Sequence, residues 1–167
     1  MSALRKLIVA LKISSAIALG LLSGVHFNFS TNTIQTLLNL PSASQAQRAF
    51  TTSIGLLRST VRPLELLTTV ALFGAYALSP KSGRHPYLLL AGAPVVVSIA
   101  VEKMKLAGVE MGVQRARTAK EGEVEVNGEV VRGGIEAWRQ WALVRGGIVG
   151  LGFVLNVVGL YGDRFTS

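Results

Sequence analysis

Two histidines, one aspartate and no cysteine leave this 167-residue chain short of the residue types that triads and soft metal sites use. Disulfides, thiolate metal sites, iron–sulfur clusters and cysteine nucleophiles are therefore excluded. Hydrolytic triads and His-rich metal sites lack parts. His26 and His85 read as polar groups near helix ends, His85 between Arg84 and Pro86, and neither reads as a metal ligand. Asn156 stands alone in a long apolar run, where an amide bonds a neighbouring helix more often than it lines a pathway. Ala16, Gly20 and Gly24 repeat every fourth residue, as do Gly146 and Gly150. Such spacing lets another helix approach closely, within the chain or from a second copy of it. No catalytic, cofactor-binding or metal-ligating residue is assigned, and no cofactor and no enzyme activity are expected.

The elements that hold these residues follow from where charge is missing. Charged residues are 16% of the chain and hydrophobic ones 50%, where a soluble domain carries about a quarter charged. Mean hydropathy is +0.47. Uncharged, largely apolar runs occupy 13–29, 66–80, 85–101 and 146–162. At ~1.5 Å per residue each reaches roughly 22–26 Å, a little under the ~30 Å of a bilayer core. Lys12, Arg62, Lys103 and Arg145 can snorkel and lengthen the spans. A soluble four-helix bundle would need polar outer faces, which 66–78 and 95–101 lack. The expectation is an all-α membrane protein, one polytopic domain over 1–167. Its four transmembrane helices are expected at about 11–29, 64–79, 86–103 and 142–161, with a soluble loop at 104–141. The net charge of +8 is scattered between apolar runs, so basic membrane flanks explain it and nucleic acid is not expected as a partner. With no charge at mid-depth, a proton relay or pump is not expected either.

Lys12 interrupts any secretory h-region, and no clean cleavage site follows. No acidic residue precedes Glu65, and a basic, acid-free, Ser/Thr-rich N-terminal part is the mitochondrial bias. The stretch 49–62 could lie in the interface as an amphipathic helix, with Pro63 starting the second span. Pro80 and Gly83 mark a tight turn at 79–84, making the second and third spans an antiparallel pair. The 102–120 stretch reads as an extension of the third span, with Met104, Gly108, Met111 and Arg115 at helical spacing against a neighbour. Val124 and Val126 ahead of Asn127-Gly128 signal a β-hairpin, offered as a partner-binding loop. Trp138 and Trp141 have the spacing of an interfacial aromatic belt. Trp141 and Val144 match a strand-addition peptide motif, but basic neighbours and a helical setting make the match a coincidence.

Arg84-His85-Pro86-Tyr87-Leu88-Leu89 with Ala93-Pro94, the C-terminal run from Ile148-Val149-Gly150 to Gly159-Leu160-Tyr161-Gly162, and Ile13-Ser14-Ser15 to Ser23-Gly24 together resemble the fungal autophagy-related protein 33 / SCM-type family. The resemblance spans roughly half the chain in the same order. It implies a non-enzymatic, multi-pass protein of the mitochondrial outer membrane, required for selective autophagy of mitochondria. It also implies partners among the membrane or cytosolic proteins of mitochondrial turnover, besides the lipid bilayer. Arg84, His85, Pro86, Tyr87, Gly159, Tyr161 and Gly162 enter as motif positions with a structural role. The competing expectation is a small-solute channel or transporter subunit, with Asn156 and the glycine faces lining its path, or an accessory subunit of a membrane complex.

Overall fold

The computed structural model describes residues 3–80, 84–120 and 123–163, without the side chains of 117–125. Four long helices account for most of it: α1 (Ala3–Leu38), α2 (Ala43–Leu78), α3 (Tyr87–Arg115) and α4 (Gly128–Gly162). Each is long and apolar enough to cross a membrane. They pack antiparallel in the ring order α1, α2, α3, α4, an up-down-up-down bundle of the kind short connections favour. Between α3 and α4 the backbones of β1 (Arg117–Lys120) and β2 (Glu123–Val126) pair antiparallel, Arg117 opposite Val126.

Periodicity explains the bundle. Besides Gly146, the buried positions on α4 are Val131, Ile135, Trp138, Ala142, Arg145, Val149, Gly152 and Asn156, alternating steps of four and three as in a helix-packing seam. α2 keeps the rhythm through Phe50, Ile54, Leu57 and Val61, then Glu65, Thr68, Leu72 and Ala75. α3 buries Leu88, Ala91, Val95, Ser98 and Glu102, then takes a π-helical turn at Glu102–Leu106. A π turn inserts an extra residue and restores the inward phase, so Leu106, Glu110 and Val113 also face inward. α1 carries a matching π turn at Phe29–Thr33.

Along half of the bundle the polarity is inverted relative to a soluble protein. Ile17, Leu66, Val70, Leu90, Val96, Leu151 and Val158 are each more than half exposed, whereas Ser15, Thr68, Ser98 and Asn156 are fully buried. In water such a surface would aggregate; in lipid it is matched by the solvent. This half is bounded by Glu65, Glu102 and Arg145. The other half, built from the last turns of α1, residues 43–62 of α2, the end of α3 and residues 128–144 of α4, turns polar groups outward. Arg48, Thr51, Ser59, Lys103, Gln114, Arg132 and Gln140 are among its exposed residues. By helical rise it stands roughly 25–30 Å beyond the apolar slab. The molecule is a multi-pass membrane bundle with a projecting helical head.

Several expectations change. The stretch 104–141 is mostly helix, because α3 continues to Arg115 and α4 begins at Gly128. No hairpin turns at Asn127-Gly128. Asn127 instead caps α4, its Oδ1 accepting from the backbone N–H of Glu129 at 3.1 Å and of Val130 at 3.2 Å, the role asparagine fills well at a helix start. The 3.6-residue period of Val131, Ile135 and Trp138 overrides the local turn signal. Residues 49–62 do not lie in the interface: Phe50, Ile54, Leu57 and Val61 are buried in the bundle. α2 runs through Pro63 without a break; proline removes one ladder hydrogen bond, and packing on either side holds the helix. Met104, Gly108, Met111 and Arg115 face outward and contact no bundle neighbour as a seam; the inward positions are Glu102, Leu106, Glu110 and Val113. Residues 81–83 of the expected tight turn, and the side chain of Val124, lie outside the described residues.

Candidate functional site

Where the apolar slab meets the head, six charged side chains meet between α2, α3 and α4. Arg145 of α4 is 3% exposed. It donates to Glu65 of α2 at 2.5 Å, to Ser98 of α3 at 2.8 Å, and pairs with the second oxygen of Glu102 at 2.8 Å. Arg62 bridges Glu65 at 3.2 Å and Glu102 at 2.7 Å. Arg58 bridges Glu102 at 3.3 Å and Glu110 at 2.6 Å. Glu110 also accepts from the Trp138 indole N–H at 3.1 Å. Three guanidinium and three carboxylate groups thus form a neutral layer. The glutamates and Arg145 are buried, while Arg58 and Arg62 have side chains 42% and 46% exposed.

The buried members stand where the seam rhythm puts them, and Arg58 and Arg62 reach in from one position off it. Glu65 follows Val61 by four, Glu102 follows Ser98 by four, and Arg145 follows Ala142 by three. Residue-type reading treated Arg62 and Arg145 as snorkelling flanks. The signal that finds the layer is charge at seam positions of three different helices, at the same distance from the apolar runs. The layer encloses a cavity of about 10 Å³ lined by Leu57, Arg58, Glu102, Leu106, Glu110 and Arg145 among others, room for about one water. Trp138 is core and not belt: it is 2% exposed, with Phe29 and Phe50 edge-on at 5.4 and 5.8 Å. Trp141 lies under the Lys105 ammonium, 5.3 Å from the ring centre.

At the opposite end of the slab, Asp163 after α4 gathers three elements. Lys12 of α1 donates to it at 2.6 Å, the Tyr87 hydroxyl at 2.8 Å, and His85 lies at 3.3 Å. Arg84 donates to the carbonyls of Ser79 and Ala77, holding the α2–α3 connection. Pro86 precedes the first turn of α3 and its carbonyl accepts from Leu89 and Leu90. Of the motif positions, Tyr87 and Gly159 are brought into direct contact: a Cβ on Gly159 would fall inside the Tyr87 ring. Tyr161 and Gly162 are exposed.

The glycine faces lie where α1 meets α4. A Cβ on Gly20 would come within 3.2 Å of Phe153, on Gly146 within 3.2 Å of His26, and on Gly150 within 3.1 Å of the Ser23 hydroxyl. Ala16 is half-buried, and Gly24 faces open space. His26 is buried at 1% exposure, not interfacial. Asn156 donates its amide to the Ser15 hydroxyl of α1 at 2.8 Å. Between Asn156 and the ionic layer, Leu19, Leu22, Leu72 and Val149 fill the interior at 1% exposure or less, an apolar plug across any axial route. Among the described residues, no group of three or more His, Asp or Glu could hold a metal ion. Chemically the arrangement cements helices and separates two environments.

Comparison with known proteins follows the same outline. The family model described as anthrone oxygenase matches residues 50–155, which contain the whole ionic layer. The chain is similar to "Autophagy-related protein 33" of Gibberella zeae, 32% identical over 178 aligned positions that cover 92% of this chain and 90% of that protein. No solved structure matches.

Proposed function

The chain belongs to the fungal autophagy-related protein 33 family, and on that premise we propose that it is a non-enzymatic platform in the mitochondrial outer membrane, required for selective autophagy of mitochondria. The observation carrying this reading is the similarity over nearly the full length of both chains, which brings the whole membrane bundle and its head into register with an autophagy protein. The architecture supports it. The embedded half is closed by an apolar plug, and its buried hydroxyls bond backbone carbonyls of the bundle or side chains of neighbouring helices. The head projects rigid helices far enough from the lipid to meet proteins. Lipid is the partner of the slab, and proteins of mitochondrial turnover are the partners of the head.

The test is in fungal cells. Tagged protein is expected to cofractionate with mitochondria, and protease added to intact organelles is expected to cut the connection between α3 and α4. A strain lacking the chain is expected to lose mitochondrial turnover under conditions that induce it. Normal turnover in that strain, or residence in another membrane, refutes the reading.

The description of the matched family model raises a second reading, an oxygenase acting on an anthrone. The enclosed cavity has room for about one water, far less than a fused-ring substrate needs. A second concavity, about 430 Å³, is open at the surface of the head and lined by Gln47, Arg48, Thr51, Thr52 and Gln114, without the aromatic and aliphatic side chains that such a ligand prefers. Both observations support the platform. Oxygen uptake by the purified chain with anthrone as the probe would turn the reading to the enzyme.

A further inference from the structure

From the outer face of α3 in the head, we infer a docking site for an amphipathic helix with acidic flanks, an inference that rests on the platform reading and names its surface. Three observations point there. Met104 is 77% exposed and Met111 48%, both beyond the Glu102 level of the ionic layer. Methionine is flexible and polarizable and serves surfaces that receive helices. Gly108 lies between them, and a Cβ built on it meets nothing within 4 Å, so an approaching helix can come close to the backbone. Among the described side chains, the charge on this face has one sign: Lys103, Lys105 and Arg115 are exposed, whereas Glu102 and Glu110 are buried in the ionic layer and neutralised there. The fold has turned every acid of this segment inward.

That asymmetry selects the occupant. A second copy would set basic face against basic face, which costs energy. The protein's own membrane covers at most the Lys103–Met104 end of the patch, because α3 rises away from it. Arg115 stands about 20 Å beyond Glu102 along the helix, past the headgroups that Lys103 can reach. A helix with an apolar stripe and glutamates or aspartates beside it satisfies both the methionines and the cations, the groove-and-anchor mode of helix recognition.

The full chain in phosphatidylcholine nanodiscs is titrated with two fluorescein-labelled synthetic helices sharing one Leu/Ala face, one flanked by glutamates and the other by lysines. The glutamate helix is expected to bind, more weakly as salt rises, and the lysine helix is not. Met111→Glu is expected to weaken binding about tenfold with unchanged helicity and melting. Gly108→Leu, which fills the open approach, should weaken it similarly. Equal binding of both helices, or unaltered affinity in both variants, overturns the inference. So does self-association abolished by Met111→Glu, which assigns the face to a second copy, or Met111-dependent binding to phosphatidylserine vesicles in place of the peptide. In cells, Met111→Glu with normal mitochondrial turnover beside a defective deletion strain overturns the docking site and leaves the platform standing. Normal turnover in the deletion strain overturns the platform, and the peptide titration then still decides the surface.

Discussion

Replacing Arg145 by methionine should be the most damaging single change in the ionic layer. Its side chain is 4% exposed and holds Glu65 and Glu102, each 6% exposed. Methionine has similar length, so volume changes little, but a layer of three positive and three negative groups becomes two and three. Breaking a buried pair by removing one partner costs about 3–5 kcal/mol, because a charge is left without compensation. Arg62 still reaches both glutamates and, being nearly half-exposed, offsets part of the loss in the manner of a surface pair. The lower end of that range, about 3 kcal/mol, is the expected loss, roughly a 150-fold shift in the folding equilibrium. The assay is reversible unfolding in bicelles, followed by helical circular dichroism, on wild type, Arg145→Met, Glu65→Gln and the double variant. The double variant restores neutrality, so its loss should fall at least about 1.5 kcal/mol short of the sum of the single losses. A single-variant loss under about 1 kcal/mol, or strict additivity, refutes the claim that these charges act as a compensated buried unit. Arg145→Lys should lie between, keeping the charge and losing the fork that spans three partners.

The other predictions concern packing and immersion. Gly159→Ala places a methyl inside the Tyr87 ring and forces the ring aside, so it should cost about 1–3 kcal/mol; Gly147→Ala, which meets nothing within 4 Å, should stay within about 0.5 kcal/mol, both read from the same unfolding curves. Asp163→Asn weakens the tie among Lys12, Tyr87 and His85 and should lose about 1 kcal/mol at this partly exposed site. Because the chain has no cysteine, Met104→Cys and Val154→Cys can be compared without background. In vesicles with the head outward, a membrane-impermeant maleimide should label the first quickly and the second hardly at all, and equal labelling would remove the slab boundary drawn at the ionic layer.

Four apolar spans, their antiparallel order and the absence of thiol chemistry were legible in the chain itself. Composition and run length act locally: a charge-free stretch of fifteen residues needs lipid or a core wherever its neighbours lie. The extension of the third span past Lys103 was legible too, because helical spacing continues there. What local pattern could not decide was which signal wins when two compete. Asn127-Gly128 is a good hairpin turn and Asn127 a good helix cap, and the choice fell to Val131, Ile135 and Trp138, which are buried only if the backbone is helical. Pro63 would start a helix in isolation, yet α2 passes through it because Val61 and Glu65 are both held from across the bundle. The same holds for facing. Met104 and Met111 look like core by type, but the π turn at Glu102–Leu106 shifts the phase and turns Glu110 inward in their place. Arg145 looks like a snorkelling flank until Glu65 and Glu102 arrive from two other helices to meet it. Burial of a charge is a property of its partners, and partners forty to eighty residues away are chosen by tertiary packing alone.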